Sequence, residues 1–255
     1  MKIARFFGRP GFILLGVAPL FAGQAVADDG SVNLRLSVGS SYQTRNDVQT
    51  PNNEFGTRFS LADEAGEGPV TAIRLEANWK LDEKHGIRLL LAPLSYTESV
   101  VFDQPIQFEG ASFEQGQPTD ASYRFNSWRI GYHYTVTETE DFTFKVGGTL
   151  KVRDAEIRLE QGETTSFNDD LGLVPLLYLS AKRRFGKHWT LGADLDGLAG
   201  GPGRAIDLGV TLDYSLTNRW NIGVDARVLD GGADVAEVYN FARFNSLAFA
   251  VSTVF

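Results

Sequence analysis

The feature that most constrains this chain is a period of two. From Val32 onward, apolar side chains alternate with polar or small ones over runs longer than a typical globular strand. Ten such runs fall at about 32–45, 70–81, 86–102, 121–137, 142–160, 169–185, 188–199, 204–216, 219–229 and 242–255. Successive side chains of an extended chain point to opposite faces, so each run predicts a strand with one apolar and one polar face. The fold class is therefore all-β.

The connections narrow it further. Long or Gly-rich segments at 46–69, 103–120, 161–168, 200–203 and 230–241 alternate with short turns at 82–85, 137–141, 186–187 and 217–218. That alternation predicts a transmembrane antiparallel up-and-down β-barrel of about ten strands, with turns in the periplasm and loops outside. An even count places both termini on the periplasmic side. Trp79, Trp189 and Trp220 sit beside short turns, where an amphipathic ring lies at the membrane interface. The final run alternates Leu247, Phe249, Val251 and Thr253 and ends on Phe255. It resembles the C-terminal recognition signal of bacterial outer-membrane barrels, which implies the barrel-assembly machinery as a partner. A soluble sandwich or lipocalin-like barrel also alternates. Its small apolar core could not hold the charges found within these strands.

Residues 1–27 read as an export signal, leaving 28–255 as the barrel domain. Lys2, Arg5 and Arg9 precede a short apolar core from Gly11 to Gly23, and Ala25-Val26-Ala27 matches the small-x-small cleavage pattern. Removal of these residues takes away three basic and no acidic groups, so 21 basic stand against 32 acidic residues, a net of -11. No apolar segment is long enough for a membrane helix, and the mean hydropathy is -0.15. With no Cys, neither a disulfide framework nor lipid attachment through a cysteine is available. An acidic chain without a concentrated basic patch is not a nucleic-acid binder. The expected surroundings are outer-membrane lipid and lipopolysaccharide, in the cell outer membrane, with the protein a monomer.

If the apolar positions face lipid, the alternate ones face the lumen. They are Arg74, Glu76, Asn78 and Lys80, then Arg88, Arg129, His133, Lys145, Lys151 and Arg153: a mostly basic wall. Asp194, Asp196, Asp207, Asp213 and Asp225, with Arg227 among them, form a mostly acidic wall on the other side of the ring. Opposed walls suit either a lumen closed by ion pairs or a narrow passage crossed by a transverse field. Broken alternation over Lys151-Val152-Arg153-Asp154-Ala155 suggests a bulge and leaves the facing of Glu156 and Arg158 open.

No catalytic, cofactor or metal residues are assigned. His85 and His188 fall at periplasmic turns and His133 near the periplasmic end of its strand, away from where outer-leaflet hydrolysis would need a base. Asp230-Gly231-Gly232-Ala233-Asp234 with Glu237 does not match a calcium-loop spacing and reads as a solvated hairpin loop. Gly200-Gly201-Pro202-Gly203 lacks the Lys-Ser/Thr of a phosphate loop and reads as a tight turn.

The stretch FDQPIQFEGASFEQGQPTDASYRFNSWRIGYHY from Phe102 to Tyr134, and the later GGADVAEVYNFARF, resemble a family of uncharacterised, porin-like outer-membrane barrels of Gram-negative bacteria. Tyr123, Phe125, Asn126, Arg129, Tyr239, Asn240 and Phe241 carry the resemblance, which implies the barrel and its location but no reaction or ligand. The expected role is membrane-structural or passage of small polar solutes. The alternatives are a surface-recognition barrel acting through loops 46–69 and 103–120, and an outer-membrane hydrolase.

Overall fold

The computed structural model describes residues 32–201 and 203–255; the export signal expected at 1–27 lies outside the described residues. In chain order the elements are β1 (Val32–Gln49), β2 (Phe59–Ser60), α1 (Leu61–Glu64), β3 (Val70–Lys80), β4 (His85–Ala92), β5 (Ser95–Val101), β6 (Ile106–Phe108) and β7 (Ala111–Phe113). They continue as β8 (Pro118–Glu138), β9 (Phe142–Gln161), β10 (Thr164–Phe185), β11 (Trp189–Gly200), β12 (Gly203–Ser215), β13 (Trp220–Asp234) and β14 (Tyr239–Val254). Each wall strand pairs antiparallel with its neighbour, and β14 returns to β1 in register from Asn33↔Val254 to Gln49↔Tyr239. The result is a closed barrel of ten strands, with β4 and β5 together making the third. Closure pairs the backbone groups that hydrocarbon could not solvate.

Alternation decides the facing. Leu36, Val38, Leu89, Ile130, Leu208 and Phe249 are exposed on the outside, and Trp79, Trp189 and Trp220 are exposed beside the short turns. Val32 and Phe255 exchange backbone hydrogen bonds of 3.2 and 2.9 Å at that same end. The opposite end carries the long connections and faces outward in a barrel of this kind.

Three sequence expectations need correction. The run 86–102 is two strands, because Pro93 has no N–H for the ladder; the Leu94 amide turns instead to the Asn126 side chain at 3.3 Å. The connections at 161–168 and 230–241 are much shorter than expected, since strands run through them. A turn at Gly162-Glu163, with Gly162 at φ 59°, joins β9 to β10, and residues 230–233 of the supposed hairpin loop lie within β13. The bulge expected near Lys151–Ala155 is absent, for β9 holds one register against β10 throughout; the irregularities are at Gln43/Arg45 and Thr135/Thr137. One physical reason covers the last two corrections. Beyond the lipid boundary an outward position no longer has to be apolar, so a continuing strand looks like a loop or a phase error. Asp154, Glu156 and Arg158 are on that outer face, where Arg124 pairs with Asp154 at 3.1 Å and with Glu156 at 3.6 Å.

Candidate functional site

The lumen is built in layers. At mid-height the inward positions carry charge, and the basic wall from β3, β4 and β8 meets the acidic wall from β11 and β12 directly. Arg129 bridges Asp196 at 2.7 Å and Asp207 at 2.5 Å; Arg88 also binds Asp196, whose second oxygen accepts from Thr149 at 2.7 Å. Asp207 is shared further with Arg227 at 2.6 Å and Arg74 at 3.3 Å. Arg227 holds Asp194 at 2.8 Å, and Glu76 lies 3.5 Å from Arg74 and 3.9 Å from Arg88. Arg35 of β1 binds Asp225 and, at 2.8 Å, Asp213. These groups are out of water: Arg88 is 1% exposed, Asp196 0% and Asp207 4%. Each carboxylate has at least one guanidinium, which is the condition under which charges tolerate such burial.

Lys151 stands beside this belt with its ammonium 4.3 Å from the centre of the Phe125 ring. Lys80 is exposed at the short-turn end of β3. Of the candidate lumen residues, the belt therefore brings together Arg74, Glu76, Arg88, Arg129, Asp194, Asp207, Asp213 and Asp225, with Lys151 adjacent and Lys80 apart. Arg35 was missed. The signal was available, since Leu34, Leu36 and Val38 on alternate positions leave Arg35 and Ser37 on the other face.

Backbone space around the belt is tight. A Cβ on Gly209 would lie 2.5 Å from the Cζ of Arg227, whose guanidinium is pinned by Asp194 and Asp207 and has no free rotamer to yield to. Gly209→Ala should cost about 1–3 kcal/mol by overpacking. The check is the denaturant midpoint of the refolded variant in detergent, which should fall while Gly148→Ala, on the exposed face of β9 with the nearest atom 3.9 Å from the new Cβ, stays within about 0.5 kcal/mol.

Above the belt the lumen is apolar. Tyr123, Ile157, Leu159 and Phe244 point inward and pack with Phe59, Leu61, Phe102, Ile106, Phe108 and Phe113 from the two long connections. Phe59 meets Phe102 edge-on at 5.5 Å, and Tyr123 stacks on Phe244 at 5.7 Å. The connections are also stitched to one another: the Thr57 amide donates to the Gln107 carbonyl at 2.8 Å and the Glu109 amide to the Thr50 carbonyl at 3.0 Å. Loops 46–69 and 103–120 thus fill one side of the barrel mouth with apolar side chains. The sequence carried a trace of this layer. On β8 the apolar phase changes between Phe125 and Trp128, and on β14 between Phe244 and Leu247, with no bulge at either place.

On the other side of the mouth, between β9 and β13, a cavity of about 690 Å³ remains. Its wall includes Phe125, Ile157, Leu176, Leu198, Ala205 and Leu229; Arg129, Lys151, Asp196 and Asp207 are at its base, and Asp169, Gly200 and Glu237 at its rim.

The histidines are all toward the short-turn end. The His85 ring bonds the Tyr132 hydroxyl, His188 lies 3.2 Å from the Ser215 carbonyl, and His133 is buried 6.2 Å from the Tyr178 ring. Among the described residues no cluster of His, Cys, Asp and Glu has the arrangement of a metal site.

No protein-family model and no curated protein matches the chain. Among solved structures, the outer membrane protease OmpT from Escherichia coli superimposes with a TM-score of 0.50 at 10% identity, over 88% of this chain and 96% of that one. The attachment invasion locus protein Ail of Yersinia pestis gives 0.40 at 9% identity, over 88% of this chain and 99% of that one. An outer membrane channel from Pseudomonas putida F1 gives 0.42 at 10% identity, over 91% and 97%. At such identities the likeness reaches the fold and not the chemistry. A ten-strand antiparallel wall, closed on itself and apolar outside, makes this chain an outer-membrane β-barrel protein.

Proposed function

We propose that this barrel is a non-conducting, membrane-structural protein that presents a cup to the outside, rather than a passage for small polar solutes. The observation that carries this reading is the ionic belt. Arg88 and Arg129 reach from one wall to Asp196 and Asp207 on the other, and all four side chains are buried. An ion following the lumen would have to displace paired, desolvated charges that have no alternative partners. The cavity above the belt is then a dead-ended cup with an apolar wall, a form suited to holding a small molecule.

The alternatives fit less well. A recognition barrel would hold its two long loops out in solvent, whereas these bury Phe102, Ile106, Phe108 and Phe113 against the barrel interior. A hydrolase would need a base near the cup, and the three histidines lie at the other end. Monomeric insertion by the barrel-assembly machinery, through the β14 strand, completes the reading.

Purified wild-type protein in a planar bilayer should be electrically silent at neutral pH. Discrete, reproducible conductance steps from folded wild-type barrels would favour the passage and end the closed-lumen reading.

A further inference from the structure

On the outer surface, above the aliphatic band, the barrel has a pair of arginines held by one carboxylate. Asp230 of β13, 4% exposed, accepts from the Nε of Arg204 on one oxygen and from the Nε of Arg243 on the other, at 2.6 Å for the latter. Binding through Nε leaves the terminal Nη groups of both guanidiniums without a hydrogen-bond partner among the described residues. Arg204 and Arg45 flank the Phe241 ring, 4.9 and 5.2 Å from its centre. Arg45 also donates to the Tyr239 hydroxyl at 2.9 Å, and Arg58 lies 3.6 Å over the Tyr239 ring. The aromatic rings and the carboxylate thus fix four guanidiniums on one face of the rim.

The level is set by the strands themselves. Along the same outward positions the next residues toward the membrane are Ile206 and Leu208 on β12, Val228 on β13, and Asn245 followed by Leu247 on β14. The arginines therefore sit where hydrocarbon gives way to headgroups in the outer leaflet. Four arginines here face Asp47, Asp230 and, opposite Tyr239, Asp234, a basic surplus of one. The rim near β8 and β9 has the opposite balance, with Arg124 and Arg158 against Asp154, Glu156 and Glu160.

We propose that Arg45, Arg58, Arg204 and Arg243 form a binding site for the phosphate groups of the lipopolysaccharide headgroup in the surrounding leaflet. Planar guanidinium forks match phosphate oxygens in pairs, and pre-orientation by Asp230 removes most of the ordering cost. The apolar band directly below would receive the acyl chains of the same molecule. The site is separate from the lumen and holds whether the lumen is open or closed.

The test uses the full barrel folded in detergent, with lipopolysaccharide, its enzymatically dephosphorylated form, and inorganic phosphate as probes. Native mass spectrometry should show retention of the phosphorylated glycolipid and much weaker retention of the dephosphorylated one. Each arginine near a charged membrane surface contributes about a fivefold change in affinity, so Arg204→Gln with Arg243→Gln should weaken binding by about 25-fold. The Arg124→Gln, Arg158→Gln double variant on the other face should bind as wild type. Arg58→Gln, at a side chain with no hydrogen-bond partner among the described residues, provides a second variant that leaves Asp230 paired; it should lose about fivefold. Equal retention of the dephosphorylated glycolipid, equal losses from both double variants, or full displacement by inorganic phosphate at matched concentration would each overturn the proposal.

Discussion

Asp207→Ala should be the most damaging single substitution in the barrel wall, lowering the stability of the folded state by about 3–5 kcal/mol, the cost of stranding a buried partner. Three guanidiniums converge on this carboxylate, from Arg74 at 3.3 Å, Arg129 at 2.5 Å and Arg227 at 2.6 Å. Arg129 keeps Asp196 and Arg227 keeps Asp194, but Arg74 would be left with Glu76 alone at 3.5 Å. The measurement is the urea midpoint of the barrel in lipid vesicles, read by tryptophan fluorescence and by heat-modifiability on a gel. Asp207→Asn keeps the shape and one acceptor oxygen, so its loss should be smaller. Pairing Asp207→Ala with Arg74→Met should recover part of the loss, because the stranded cation leaves together with its counter-charge. An Asp207→Ala midpoint equal to that of wild type would show that the belt does not hold the barrel. The same variant provides the positive arm of the bilayer experiment: with the central carboxylate gone, a folded barrel should begin to conduct.

Phe108→Ala should release the mouth without unfolding the wall. Phe108 is fully buried, 6.2 Å from Phe59 and grouped with Phe102, Ile106 and Phe113. Truncation of a core phenylalanine costs about 3–5 kcal/mol. Here the loss falls on the segment between β5 and β8, whose other ties outside its own small hairpin β6–β7 are hydrogen bonds at three positions: Gln107 with Thr57, Glu109 with Thr50, Ser166 and Asn168, and Glu114 with Gln161. Proteinase K added outside vesicles should therefore cut within 102–117 in the variant and leave wild type intact, while the variant remains heat-modifiable. Wild-type resistance in Phe108→Ala would mean that the loops are held by something other than this apolar packing.

How far the sequence could be read depended on how local the controlling force was. The strands of the lipid-embedded zone were legible because each outward side chain there answers to a single requirement, contact with hydrocarbon, whatever the neighbouring strand does. Leu247, Phe249 and Val251 are alternate in sequence and outward in the barrel for that reason. Above the lipid the requirement lapses, and the same strands carry Arg204, Asp230 and Arg243 outward; β13 accordingly looked finished before it was.

The period of two, taken with the alternation of short turns and long connections, determined the barrel, its strand count and the inward direction of Arg74, Arg129 and Asp207. It could not determine which inward charges touch, because Arg129 and Asp196 lie 67 residues apart and meet only when the wall closes. Nor could it show that two connections turn back into the mouth, since Phe59 and Phe102 find each other only across the lumen. Facing is a property of one strand and its solvent. Occlusion, the cup and the arginine face are properties of closure, which brings strands distant in sequence to within a side chain's reach.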